Sequence, residues 1–467
     1  MPGFRCQEPG LAPVPDTRHL IPDTCFASGT WNLKPDNFVT DYLVLPPVRA
    51  VRGTVAAPPS KSATNRALLL AALSPEPVEI VRPLDSGDTR ALVRCLQAMG
   101  AAVLRTPSGL SVGGPLGRPS RDDVVLDAGD SGTAARFLAA TAAAVPGRYL
   151  LTGSEQLVRR PMAELVAALR SAGASVESAG AEGFLPLAIR GGTLRSGDVV
   201  VDASRSGQFL SALLLAGVAV EGGLSVRSRG AVASFPYVET TLETLADFGH
   251  SVERGAEGEI GVRRGVRKTG AYAVPGDWSS ALPFFAAAGI AGGEVSVTGL
   301  RWPSHDADAR ALDVVVSMGI GVEREAGEIR ARGGPGGLVP VSVEARDFPD
   351  AVPALAAIAI FAAGESRFRG IAHLRLKESD RIAGVEALAA AAGARCVAGE
   401  DGIAITGPPR RPGVAPIRLP TFDDHRLAMA AALLSLALPS LLIATPDCVG
   451  KSYPDFFRDL ETILVRD

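Results

Sequence analysis

Only five of the 47 basic Lys and Arg side chains are lysines, Lys34, Lys61, Lys268, Lys377 and Lys451. Three of them, Lys61, Lys377 and Lys451, fall inside clusters of polar residues. An ammonium group is a compact point charge with a transferable proton, so a chain that otherwise uses arginine has reason to keep lysine where those properties matter. Around Lys61 the order is Pro58-Pro59-Ser60-Lys61-Ser62-Ala63-Thr64-Asn65-Arg66, followed by an apolar run. The proline pair stops the preceding element and a Ser or Thr caps the helix, whose start carries unpaired N–H groups and the positive end of the dipole. Such a place suits an anion. Read alone, the stretch is equally an ordinary capped helix with solvated basic residues, and the scarcity of lysine is what favours the anion seat.

Other clusters follow. Arg136 comes after Asp130-Ser131-Gly132, and Arg160 stands in Val158-Arg159-Arg160-Pro161. Ser206 and Gln208 open one helical run, Ser234 and Tyr237 another, and Asp350 a third. The most polar run is Leu374-Arg375-Leu376-Lys377-Glu378-Ser379-Asp380-Arg381. At helical spacing Lys377 and Arg381 share a face beside Glu378, although most charge runs of this kind are solvated surface helices. In Asp424-His425-Arg426 the histidine is wedged between charges at the start of an apolar run, which favours an ionic site over a packed core residue.

The elements that must position these groups repeat along the chain. Lys61, Ser131, Gly207, Ser279, Asp350 and Asp424 mark helix starts that lie 70 to 76 residues apart. Between them lie short β-branched or alternating runs, such as 198–202 and 293–300, and amphipathic helical runs, such as 161–172 and 237–248. The runs after the starts (209–218, 352–363, 427–438) are apolar nearly all round, so those helices are buried on every side. A period this long exceeds the solenoid range, so each unit is expected to be a small α/β module. Six buried helices with polar caps can then aim their N-termini at one place.

The 467 residues are too many for one core and imply two domains. A hydrophobic content of 47% is that of a globular protein, and a net charge of −3 argues against non-specific binding of nucleic acid. Five cysteines without metal-ligand spacing or an even count argue for a cytoplasmic, disulfide-free protein, with Cys6 and Cys25 in a loose extension. Residues 1–45, rich in proline and polar side chains, contain no apolar core of a signal peptide and are expected to be a flexible, dispensable extension. The run 433–443 is too short to cross a bilayer.

Ten motifs in this order, SKSATNRALLLAAL, GDSGTAARF, RRP, SGQFLSALLL, FPYVETTL, DWSSA, FPDA, LRLKESDR, DDHRLAM and GKSYPDFF, span about residue 46 to the C-terminus. Together they resemble the EPSP synthase (3-phosphoshikimate 1-carboxyvinyltransferase) branch of the enolpyruvyl transferase family. The resemblance implies an α/β (α+β) fold of two similar domains, each of three βαβαββ repeats, whose buried helices point at the cleft between them. One domain would combine residues 46–60 with 275–467, and the other would span 61–274. The reaction implied is transfer of the enolpyruvyl group of phosphoenolpyruvate to the 5-hydroxyl of shikimate 3-phosphate with release of phosphate, by a monomer without metal or cofactor.

Carried over residue by residue, the resemblance places Lys61, Ser62, Arg66, Ser206, Gln208, Ser234, Tyr237, Asp350, His373 and Lys377 on shikimate 3-phosphate. It places Lys61, Gly132, Arg160, Gln208, Arg381, Arg426 and Lys451 on phosphoenolpyruvate. Asp350 corresponds to the base for the 5-hydroxyl, and Glu378 with Lys61 to the proton donor at the methylene carbon. Inhibition by glyphosate is implied as well. Four residues depart from the common pattern: Asp130 and His373 replace asparagine, Gly207 replaces serine and Phe137 replaces proline. They bear on affinity and on the choice of acceptor, and keep open a paralogue with another alcohol acceptor. The branch that acts on a UDP-amino sugar uses a mobile-loop cysteine with no counterpart here. A non-catalytic phosphate-binding relative would not need Asp350, Glu378 and Lys61 together.

Overall fold

Asp123–Asp127 alternates exposed and buried residues, so Val124 and Leu126 face a core. It pairs in parallel with Arg148–Thr152, Asp123 opposite Arg148. Parallel neighbours need a crossover, and the Gly132–Ala144 helix supplies it. Leu187–Arg190 then pairs antiparallel with both Arg148–Leu151 and Ser175–Ser178, after the Ala163–Ser171 helix. The unit therefore reads βαβαββ. The same arrangement recurs in the sheet built from Gly197–Val201, Leu224–Ser228, Ile260–Arg263 and Ser251–Arg254, and in that built from Ser342–Glu344, Gly364–Arg369, Gly402–Gly407 and Arg395–Ala398.

The structure is a computed structural model that describes residues 42–45, 48–114, 116, 123–256, 258–265, 270–304, 306–325, 327–334, 336–409 and 416–466. Three units take a strand from a distant part of the chain. Ala271–Ala273 lies parallel to Val78–Val81, Ala50–Ala56 lies parallel to Gly293–Thr298, and Tyr42–Val44 lies antiparallel to Leu442–Ala444. Most of the expected extension, with Cys6 and Cys25, lies outside the described residues. Its last residues do not fit the expectation of a loose tail, since Tyr42–Val44 is a strand and Leu45 is buried. No helix among the described residues is long and apolar enough to cross a membrane.

The helices at the six starts run Lys61–Ala72, Gly132–Ala144, Gly207–Gly217, Trp278–Ala291, Val352–Phe361 and His425–Ala437. Five are capped by the side chain just before them: Ser60, Ser131, Ser206, Asp277 and Asp424 accept from backbone N–H groups of the first turn. The fifth helix is entered through a 3-10 turn, Pro349–Ala351, without a side-chain cap, which leaves the Asp350 carboxylate available for other partners. Leu213, Leu214 and Leu215 are consecutive and all fully buried, which is possible only for a helix enclosed on every side. Each such leucine stabilises the fold by roughly 1.5–3 kcal/mol. Two hydrophobic clusters result. One gathers apolar residues between Ala63 and Val274, and the other joins Leu45, Val51, Val55 and Ala57 to residues between Trp278 and Ile463.

Candidate active site

Side chains from both clusters meet in one cleft. Lys61, Ser62 and Arg66 reach it from the first capped helix, Gly132 from the second, and Ser206 and Gln208 from the third. Arg160, Ser234 and Tyr237 line the same side, and Asp350, His373, Lys377 and Glu378 line the other. Among the residues singled out from the sequence, Arg381, Arg426 and Lys451 do not line it directly. Arg381 sits behind it, 1% exposed, while Arg426 is bonded to Ser279 and Ser280 and Lys451 to Asp423.

Arg381 organises the carboxylates. Its Nη1 donates to Asp350 Oδ1 at 2.8 Å, its Nη2 to Glu378 Oε2 at 2.7 Å and its Nε to Asp424 Oδ2 at 2.8 Å. Lys377 Nζ adds a second cation to Asp350 Oδ1 at 3.2 Å, and Arg160 Nη2 lies 3.4 Å from Glu378 Oε1. Burial by itself raises both carboxyls, but the cations win. Lys377, Arg381 and Arg426 hold Asp350 well below the usual carboxylate range, and Arg381, Arg160 and Lys61 do the same for Glu378. Both groups are anionic at neutral pH.

Opposite these carboxylates, Gly132 opens a helix between two guanidinium groups. A Cβ at this position would stand 2.5 Å from Arg160 Nη1 and 2.8 Å from Arg136 Nη1, so only glycine leaves both groups in place. Arg136 is anchored by Gln208 Oε1 at 2.6 Å and lies over the Phe209 ring, while Gln208 Nε2 donates to Thr133 Oγ1 at 3.1 Å. Burial, then the charge of Arg160, lower the Arg136 pKa to about 9, still cationic at neutral pH. The Nε atoms of Arg136 and Arg160 are buried without a hydrogen-bond partner among the described residues. Two cations and a helix N-terminus around one gap can bind a phosphate or carboxylate.

Lys61 Nζ contacts Asp88 Oδ2 at 3.1 Å, and the Lys61 N–H donates to Asp277 Oδ2 at 3.3 Å. Arg66 is held by the Ser62 carbonyl at 2.8 Å, the Tyr237 carbonyl at 2.9 Å and Thr241 Oγ1 at 2.7 Å. Ser234, at a left-handed φ of 55°, puts its hydroxyl 3.4 Å from the Arg346 carbonyl and 3.5 Å from His373 Nε2. Burial and Lys377 bring the His373 pKa down to about 4, so its ring is neutral.

A family model described as EPSP synthase (3-phosphoshikimate 1-carboxyvinyltransferase) matches residues 45–460. The chain belongs to the EPSP synthase family. The 3-phosphoshikimate 1-carboxyvinyltransferase of Nitrosomonas europaea is 37% identical over 426 residues, covering 90% of this chain and 98% of that one. That of Serratia proteamaculans is 38% identical over 439 residues, covering 91% and 99%. The solved EPSP synthase of Acinetobacter baumannii superposes with a TM-score of 0.74 at 27% identity, covering 91% of this chain and 98% of that one. An enolpyruvyl transferase of Streptomyces tendae, at 19% identity, has a TM-score of 0.72 and shares the fold.

Against the EPSP synthase pattern, three of the four departures, Gly207, Phe137 and Asp130, make specific contacts. A Cβ at Gly207 would stand 2.6 Å from the Ala233 carbonyl oxygen, so this backbone leaves no room for a serine. Phe137 is buried beneath the Arg66 guanidinium, 5.3 Å from its ring centre, a cation–π contact that proline cannot make. Asp130 does not cap its helix, because Ser131 does. It accepts from the Ser154 hydroxyl and pairs with Lys451 Nζ at 3.4 Å. Lys451 also donates to Asp423 Oδ2 at 2.8 Å, and these two aspartates raise its pKa against the opposing effect of burial.

Two expectations fail. The 374–381 stretch is not a helix bearing Lys377 and Arg381 on one face. It is a 3-10 turn, Ala372–Leu376, then extended backbone at Lys377, and the helix begins only at Arg381. The two cations meet at Asp350 through this bend, not through i, i+4 spacing. His425 is not ionic either. It is 1% exposed, neither ring nitrogen has a hydrogen-bond partner among the described residues, and burial with Lys61 and Arg426 nearby keeps its pKa well below the usual value.

Sequence reasoning missed Asp88, the partner of Lys61, and Gln156, whose side-chain amide donates to the Glu378 carbonyl. It also left Arg136 without a role. Asp88 lies inside a Ser86–Thr89 capping box, and a charged residue in a first turn gave no sign of reaching Lys61 27 positions earlier.

Proposed function

We propose that this cleft transfers the enolpyruvyl group of phosphoenolpyruvate to the 5-hydroxyl of shikimate 3-phosphate and releases phosphate, as the named relatives do. The observation that carries the reading is the pairing of an anion pocket at Gly132, between Arg136 and Arg160, with two anionic carboxylates, Asp350 and Glu378, bridged by Arg381. Phosphoenolpyruvate is assigned to Lys61, Gly132, Arg160, Gln208, Arg381, Arg426 and Lys451. Shikimate 3-phosphate is assigned to Lys61, Ser62, Arg66, Ser206, Gln208, Ser234, Tyr237, His373 and Lys377, next to Asp350. The segments 46–60 with 275–467 and 61–274 act as two domains that close on the substrates, in a cytosolic monomer.

In this reading Asp350 accepts the 5-hydroxyl proton as the oxygen attacks C2 of phosphoenolpyruvate, and C3 takes a proton from Glu378 or Lys61 to give a tetrahedral intermediate. Loss of a proton from the new methyl group expels phosphate and regenerates the enol ether. A base must be ionised beforehand, and Asp350 is. Glu378 must first gain a proton. Phosphoenolpyruvate supplies the condition, since its negative charge on Arg160 and Arg381 cancels the cations that hold Glu378 down. The test is phosphate release by the purified chain with phosphoenolpyruvate, with and without shikimate 3-phosphate. Release that requires both is expected, and release without the acceptor, or none with both, overturns the reading.

A further inference from the structure

The hydroxyl of Tyr237 donates to Asp308 Oδ2 at 2.6 Å. Tyr237 belongs to the Phe235–Asp247 helix, packed on the first hydrophobic cluster. Asp308 belongs to the Ala307–Arg310 turn, packed on the second. The bond therefore crosses the cleft, and it joins a tyrosine assigned to the acceptor to a residue with no role so far. Asp308 is 2% exposed, and its other oxygen, Oδ1, is buried without a hydrogen-bond partner among the described residues. Asp306 caps the same turn, accepting from the Asp308 N–H at 2.9 Å.

A buried carboxyl with one oxygen unpaired is costly, and this one also faces like charges. Asp306 on its own turn and Asp350 on the neighbouring turn repel it, and Arg426 of the last capped helix offsets them in part. Around Asp306 stand Asp277 and Arg66 from two further helices and Glu243 from the helix of Tyr237. Burial, then Asp306 and Asp350, push the Asp308 carboxyl well above its usual range. A fold that needed only a turn here would be served better by a neutral residue.

We propose that Asp308 is a positioning residue for the acceptor: its hydrogen bond to the Tyr237 hydroxyl ties the two sides of the cleft together and fixes the Tyr237 ring against the acceptor ring. The inference rests on the reading of this cleft as the shikimate 3-phosphate site. The bond leaves the anion pocket at Gly132 untouched, so its loss acts on one substrate only.

The experiment compares the full chain with Tyr237→Phe, Asp308→Ala, Asp308→Asn and the Tyr237→Phe/Asp308→Ala double variant. It measures KM for each substrate and the Kd of shikimate 3-phosphate. Tyr237→Phe and Asp308→Ala are each expected to raise acceptor KM and Kd about tenfold, the effect of one lost hydrogen bond, with phosphoenolpyruvate KM within twofold. The double variant is expected to be no worse than the worse single one. Asp308→Asn, which keeps an acceptor oxygen in place, is expected to recover most of the loss. Equal rises in both KM values, multiplicative losses, or an Asp308→Asn as damaged as Asp308→Ala would overturn the proposal. If Asp308→Ala does not fold, an unchanged acceptor Kd in Tyr237→Phe overturns it alone. A wild-type chain that binds shikimate 3-phosphate without releasing phosphate refutes the reaction and leaves this comparison readable in Kd. A chain that does not bind it refutes both.

Discussion

Gly132→Ala adds one methyl group where two guanidinium groups converge. The new carbon would lie 2.5 Å from Arg160 Nη1 and 2.8 Å from Arg136 Nη1, whereas ordinary contact begins near 3.5 Å, so the groups must withdraw by about 0.7–1 Å. Neither is free to swing. Arg136 is fixed by Gln208 at 2.6 Å and by Phe209, and Arg160 by Glu378 at 3.4 Å. Withdrawal takes a charged donor out of reach of the anion in the gap, and one charge-assisted hydrogen bond contributes about 1.5–3 kcal/mol. Phosphoenolpyruvate KM should therefore rise about 10- to 150-fold.

The acceptor side is not touched by the methyl group. KM for shikimate 3-phosphate should stay within about twofold, since sites with no shared partner are nearly independent. Initial rates of phosphate release, with phosphoenolpyruvate varied at saturating acceptor and then the reverse, measure both constants. An unchanged phosphoenolpyruvate KM, or a rise confined to the acceptor, would refute the assignment of the Gly132 gap.

Glu378→Gln keeps the volume but removes the exchangeable proton, and kcat should fall ~10²–10⁴-fold with the circular dichroism spectrum unchanged; a loss under tenfold would take Glu378 out of the proton transfer. Asp130→Asn removes one of the two carboxylates on Lys451 and a negative charge beside an anionic substrate, so phosphoenolpyruvate KM should drop about two- to fivefold, more at low salt; a rise would contradict the assigned role of Lys451. Asp306 should govern stability at neutral pH. Burial and then Asp277 raise its pKa from 3.8 to about 7, so its contribution is fully present below 3.8 and is lost as pH rises through 7. Asp306→Asn should therefore raise the unfolding temperature at pH 8 and lose that advantage towards pH 4, and a difference independent of pH would exclude this origin.

The helix starts were legible because capping is local. Ser60, Ser131, Ser206, Asp277 and Asp424 act on residues two or three positions ahead, and the apolar runs behind them have no polar face to place elsewhere. Strand partners were not legible from pattern. Nothing in Ala50–Ala56 indicates that it lies parallel to Gly293–Thr298, because it buries only Val51 and Val55 on one face, an alternation that fits many partners, and the pairing is set by the packing of distant segments. The bend at Lys377 was lost for a related reason: the segment has good helix formers, and the pull of Asp350 on Lys377 and Arg381 overrides local preference. Asp308 and Asp88 are each an acid in a first turn, without a local partner pattern, and only the fold brings Tyr237 and Lys61 to them.

The ionic pairs in and behind the cleft explain how binding and proton transfer can be coupled. Lys61 is paired with Asp88, Lys377 with Asp350, Arg160 with Glu378, Lys451 with Asp130 and Asp423, and Arg381 with three carboxylates. In this reading polyanionic substrates exchange partners with the protein instead of meeting unpaired cations. Affinity is then a difference between two sets of charge-assisted bonds, smaller than either set alone. The exchange also acts on the carboxylates left behind. When phosphate or carboxylate groups take over Arg160 and Arg381, the fields that hold Glu378 and Asp350 far below neutrality weaken while burial persists, and both pKa values rise. Groups too weakly basic to move protons in the empty cleft become effective near neutral pH only once both substrates are seated.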